Sequence, residues 1–175
     1  MIRENFDSGE EFFVYHWLKE AEEHNLVSDI DYQPEPFLLS PRASVTIRKE
    51  LKTKTKMVDL FLFHPHQYTA DFSFFVSDKI KHLFVAPKFT SDKIVIDVKG
   101  SFNMFGDPKQ FSINQKWCWN KFGVYIEKIV PGKLFKKSWV PDECRFTPKK
   151  RQPVKKYVGV KTISEFLRVY NYGNK

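Results

Sequence analysis

The chain has 175 residues, a net charge of +8 and a pI near 9.4, and its 18 phenylalanines help bring the aromatic content to 17%. That apolar mass excludes a disordered tail and supports a folded domain with a sizeable core. The basic balance points to a polyanionic partner, with nucleic acid ahead of an anionic membrane.

No apolar run approaches the roughly 18 residues a membrane span needs. The polar start, MIRENFDSGEE, is unlike a secretory leader. Cys118 and Cys144 lack the close spacing of a zinc site or disulfide framework, which fits reduced thiols. The expected setting is cytoplasmic, with no membrane partner.

In chain order, residues 8–24 predict the clearest helix. Ser8 stands three residues before Glu11, a capping-box spacing, and Val14, Leu18 and Ala21 recur at helical intervals. Residues 31–41, DYQPEPFLLSP, carry three prolines and predict extended or turning chain. Residues 44–57, SVTIRKELKTKTKM, fit either a basic helix or a basic strand and loop. LFLFHPHQ and YTADFSFFV predict strands, with a turn at Pro65. KIKHLFVAPKFTSD is expected to be a strand-edge excursion, and KIVIDVKG is the next strand.

Residues 108–122 predict a helix with Pro108 near its start. GVYIEKIVP alternates as another strand. The stretch 135–156 is rich in lysine, arginine and proline and weak in periodicity. TISEFLRVY closes the chain as a short helix with a second capping box, Thr162 and Glu165. The order predicts an α/β fold with a central mixed β-sheet flanked by helices. A core over 1–134 would be followed by a basic extension, 135–175, whose terminal helix packs on the same domain.

Strand alternation places Asp97 and Lys99 on one face, opposite Ile94, Ile96 and Val98. Asp71 lies in the preceding strong strand, and pairing of the two strands would bring Asp71, Asp97 and Lys99 together. Two carboxylates about 4 Å apart repel by roughly 4 kcal/mol at an effective dielectric of 20. A divalent cation between them removes that penalty, and Mg²⁺ or Mn²⁺ takes oxygen ligands. Asp71 and Asp97 are the candidate ligands, joined by the Val98 carbonyl. Lys99 would orient an attacking water or offset transition-state charge.

YTADF followed by IDVKG resembles the PD-(D/E)XK nuclease superfamily, and within it the small phage-encoded endonucleases and Holliday junction resolvases. Ala70 stands where the motif's name has proline. The resemblance covers roughly residues 8–130 and implies a restriction-endonuclease-like core with metal-dependent DNA cleavage. It further implies a metal-site glutamate from the first helix, Glu11 or alternatively Glu10. Glu11 is equally placed for pure capping. Paired cuts across a branched junction need two sites, which a homodimer would supply.

Other residues have readings of both kinds. Basic runs at Arg48, Lys49, Lys52, Lys54 and Lys56, and at Lys149, Lys150, Arg151, Lys155 and Lys156, suit phosphate contacts or a solvated surface. Gln115 or Lys116 would reach the scissile phosphate from its helix. Trp117, Trp119 and Phe122 are expected in the core in preference to base stacking. His64 and His66 are expected as exposed imidazoles at a turn. Two rival functions stand beside the enzyme: a non-catalytic DNA-binding protein on a nuclease-like scaffold, and a nuclease subunit of a transposition or recombination assembly.

Overall fold

The computed structural model describes residues 5–88, 92–100, 108–147 and 150–173. Its centre is a four-stranded mixed sheet flanked by helices. In their order across the sheet the strands are β1 (Val27–Tyr32), β6 (Phe72–Val76), β7 (Lys93–Val98) and β8 (Ile126–Ile129). β6 runs antiparallel to both β1 and β7, and β8 joins β7 in parallel. Among the described residues, no helix is long and apolar enough to cross a membrane.

Helix α1 (Gly9–Glu23) begins where its sequence indicates, because the Ser8 side chain accepts the Glu11 N–H at 3.1 Å. Val14, Trp17, Leu18 and Ala21 bury one stripe against the sheet. The sheet answers with Phe72, Phe74, Ile94, Ile96 and Val98 on that face. Side-chain alternation then turns Val95, Asp97 and Ile126 to the other face, towards α2 (Pro108–Phe122).

A second sheet pairs β2 (Phe37–Ser40) with β5 (His66–Tyr68). Between them β3 (Ala43–Glu50) and β4 (Thr55–Phe63) form a hairpin, which resolves the ambiguous 44–57 stretch as strand and turn. Its Lys49 and Lys56 stand directly opposite one another.

Of the expected strand-edge excursion, residues 79–88 instead form 3-10 turns at Lys81–Leu83 and Ala86–Lys88 and bury Ile80, Phe84 and Ala86 in the main core, and residues 89–91 lie outside the described residues. The basic C-terminal part is built into that same core. Helix α3 (Pro131–Lys137) contributes Leu134 and Phe135, and α4 (Asp142–Arg145) contributes Cys144. Trp139 stacks on Trp17 with ring centroids 4.6 Å apart. Helix α5 (Ile163–Gly173) adds Phe166, and its capping box is reciprocal: Thr162 N–H donates to Glu165 and Glu165 N–H donates to Thr162 Oγ1.

Candidate active site

Asp71 immediately precedes β6, whose Phe72 is opposite Ile96 of β7. Its N–H donates to the Ile96 carbonyl at 3.0 Å. The Val98 N–H donates back to Asp71 Oδ2 at 2.5 Å. Asp71 is therefore held at the end of the β6–β7 ladder, beside Asp97.

Asp97 is almost fully buried, at 3% exposure. Its Oδ1 accepts the Tyr68 hydroxyl at 2.9 Å. The Lys99 ammonium lies 2.7 Å from Oδ2. Among the described residues that ion pair is the only partner of Oδ2. The contact supplies charge compensation to the buried carboxylate.

Glu11 comes from the first turn of α1 and is buried. Its Oε1 accepts the Ser8 hydroxyl at 2.7 Å and its Oε2 accepts Tyr32 Oη at 3.0 Å. Capping by Ser8 and an inward carboxylate therefore coexist, since the glutamate bonds to the Ser8 side chain rather than folding back on the backbone. Glu11, Asp97, Val98 and Lys99 line one cleft of about 510 Å³, with Tyr68, Gln110, Phe111 and Asn114.

Burial is the main cause that pushes the Asp71 carboxyl up to about 7. The Val98 N–H opposes that rise, Asp97 and Glu11 add to it, and Lys99 opposes it. Burial and the Asp97 charge likewise raise Tyr68, so it remains a neutral donor to Asp97.

All the side-chain and backbone donors here are hard oxygens, which fit Mg²⁺ or Mn²⁺ better than a soft metal. Among the described residues, however, no three His, Cys, Asp or Glu side chains form a ready metal cage. A bound ion would thus draw on Asp71, Asp97 and the Val98 carbonyl, with Glu11 directly or through water.

Several residues fall elsewhere. Gln115 Nε2 donates to the Ile126 carbonyl at 2.6 Å, which ties it to β8 instead of the cleft. Lys116 is exposed on α2 and does not line the cleft; Gln110, Phe111 and Asn114 do. Trp117, Trp119 and Phe122 are not core residues: all three are more than 40% exposed. α2 instead buries Asn114 and Cys118, one turn apart, because its contact with the sheet is narrow.

His66 is half-buried, with Nε2 2.9 Å from Asn114 Oδ1, so it is not an exposed imidazole. Lys49, Lys52, Lys54 and Lys56 are exposed on the hairpin, and Lys150 and Arg151 are exposed near the C-terminus. Lys149 lies outside the described residues.

One site residue escapes the motif. Tyr68 comes from β5, outside the central sheet, and only its place three residues before Asp71 hints at it. Lys128, opposite Asp97 in the parallel β7–β8 register, is exposed and does not line this cleft.

Comparison with family models, curated proteins and solved structures returns no match.

Proposed function

We propose that this chain is a divalent-metal-dependent nuclease of PD-(D/E)XK type that hydrolyses phosphodiester bonds in DNA. The observation that carries the reading is the buried Asp97 carboxylate, bracketed by Lys99 and Tyr68 beside Asp71. Such a cluster of oxygen donors next to a single ammonium suits phosphoryl chemistry, in which negative charge grows on the phosphate oxygens.

When bound, Mg²⁺ or Mn²⁺ would supply Lewis-acid polarisation of the phosphate and acidify a coordinated water. Asp71 and Asp97 would hold it, with Val98 and Glu11 completing the oxygen set. Hydrolysis adds water across one P–O bond: the water oxygen joins phosphorus and the leaving oxygen gains a proton. Lys99 would orient that water and offset developing charge. Tyr68, by fixing Oδ1, would hold the Asp97 carboxylate plane in place. Branched DNA is the preferred substrate class on the strength of the resemblance to junction resolvases.

A second reading has its own observation. Asp71 and Asp97 already have structural partners in the Val98 N–H and Lys99. That arrangement also suits a DNA-binding protein whose acids serve only the fold.

Purified protein incubated with supercoiled, linear, single-stranded and branched DNA separates the two. Cleavage with Mg²⁺ or Mn²⁺ that stops with EDTA, and that is lost in Asp97→Asn, supports the enzyme. Binding without cleavage of any substrate supports the second reading.

A further inference from the structure

The parallel strands β7 and β8 end side by side, and two clefts open at their carboxyl ends. This is where open α/β sheets commonly bind ligands, because the diverging loops leave a crevice. The first cleft is the candidate active site. The second encloses about 740 Å³ and shares Glu10 and Gly100 with the first. The two clefts therefore adjoin at Glu10 and Gly100.

The second cleft is strongly basic. Lys128, Lys133, Lys136, Lys137 and Lys156 line it, drawn from β8, α3 and the 3-10 turn at Lys155–Tyr157. Among the described residues, none of the five forms an ion pair with a carboxylate. Two acids share the lining. Glu127 is buried, and its oxygens accept the Val85 N–H at 2.9 and 3.0 Å and the Ala86 N–H at 3.2 Å. Its carboxylate is thus engaged by backbone donors, while Glu10 stands at the junction between the clefts.

The wall also holds a polar group without an aligned partner. Tyr157 is only 4% exposed, and its buried hydroxyl has no hydrogen-bond partner of good geometry among the described residues. The Lys156 ammonium lies 4.8 Å from the centre of the Tyr157 ring and 5.8 Å from that of Phe13. Clustered ammonium groups repel one another, and a chain of phosphates would relieve that repulsion along the cleft.

We propose that this second cleft binds the phosphodiester backbone of the nucleic acid flanking the scissile bond, with Lys133, Lys136 and Lys156 as its principal phosphate contacts. The proposal rests on the nuclease reading for its direction, since the strand would run from here across Gly100 to Asp97. It assigns to the basic C-terminal segment a binding role beside the site.

The test compares Lys133→Gln/Lys136→Gln with a charge-matched control, Lys79→Gln/Lys161→Gln, in the full chain without metal. All four lysines are exposed, so folding is expected to persist and is checked by thermal melting. Binding to DNA and RNA duplexes of one sequence is measured from 50 to 200 mM salt. The cleft pair should reduce the magnitude of the negative slope of log K against log salt on the better ligand by about 1 to 2, as each lost phosphate contact contributes about 0.9. The control pair should leave that slope unchanged.

Equal slopes for the two pairs would overturn the proposal. A small diester, bis(p-nitrophenyl) phosphate, does not span the second cleft, so its metal-dependent hydrolysis should be the same in wild type and cleft pair. Absence of DNA cleavage by the wild type on any substrate with Mg²⁺ or Mn²⁺, with the slope change present, would remove the nuclease reading and leave the binding cleft standing.

Discussion

Asp71 completes a β-ladder with its side chain: the Val98 N–H of β7 donates to Asp71 Oδ2 at 2.5 Å, just beyond the point where the Asp71 N–H bonds to Ile96. The carboxylate thus substitutes for a backbone carbonyl at the end of β6. It is held there against its own preference for water, next to Asp97 and Glu11.

That position gives the metal-free protein a pH-dependent stability. The Asp71 carboxyl is raised from 3.8 to about 7, so between these values the folded state binds its proton more tightly than the unfolded state. Stability contributed by this group is full below about pH 4 and declines as pH rises through 7. Denaturant unfolding in EDTA from pH 4.5 to 8 should show that decline, and Asp71→Asn should flatten it. An identical profile in the variant would show that Asp71 is not the responsible group.

Asp97 and Lys99 should behave as a coupled pair. Lys99→Met leaves a buried carboxylate without its counter-charge and should cost about 3 kcal/mol in metal-free protein, the low end for a broken buried pair because Lys99 is partly exposed. Asp97→Asn removes the charge itself, so the double variant should be less destabilised than the sum of the single changes. The nuclease reading adds a second readout. Mg²⁺ should raise the Tm of the wild type and leave that of Asp97→Asn unchanged. Lys99→Ala should slow DNA cleavage by about 10²- to 10³-fold, a typical loss for one group that stabilises transition-state charge.

The conjunction of Asp71, Asp97 and Lys99 was legible because strand alternation fixes which residues share a face, and β6 and β7 are neighbours. Tyr68 was not legible in the same way, since it reaches Asp97 from β5 of a separate two-stranded sheet. α2 misled by residue type: it exposes Ile113, Trp117 and Trp119 and buries Asn114 and Cys118. Apolar identity indicates the buried face only when a helix has a broad apolar neighbour, and here β2 and β8 offer a narrow one. The C-terminal segment hid its core residues for another reason. Its helices α3 and α4 have seven and four residues, too few to display a helical period.

Tyr68→Phe tests the arrangement around Asp97 without altering charge. The variant removes a 2.9 Å hydrogen bond to a buried carboxylate oxygen. A loss of about 1.5 to 3 kcal/mol is expected, in the range for bonds to charged groups. If the hydroxyl also positions Asp97 for metal, the Mg²⁺ concentration giving half-maximal cleavage should rise by about tenfold or more. A stability loss with an unchanged Mg²⁺ requirement would restrict Tyr68 to a structural role.

The strongest expected effect on folding lies far from the acids. Trp139 is fully buried and stacks on Trp17, and its indole N–H donates to Glu20 Oε2 at 3.1 Å. Glu20 Oε1 also accepts the Asp142 N–H at 2.7 Å, while Trp17 Nε1 donates to Ser138 Oγ at 3.0 Å. These bonds fasten the start of the C-terminal segment to α1, the helix that carries Glu11. Trp139→Ala should therefore cost about 3 to 5 kcal/mol, as expected for truncating a buried aromatic. Truncation after residue 134 should remove Phe135, Trp139, Val140 and Phe166 from the shared core and leave no cooperative melting transition. A truncated chain that melts cooperatively near the wild-type Tm would show instead that residues 135–175 are dispensable to the domain.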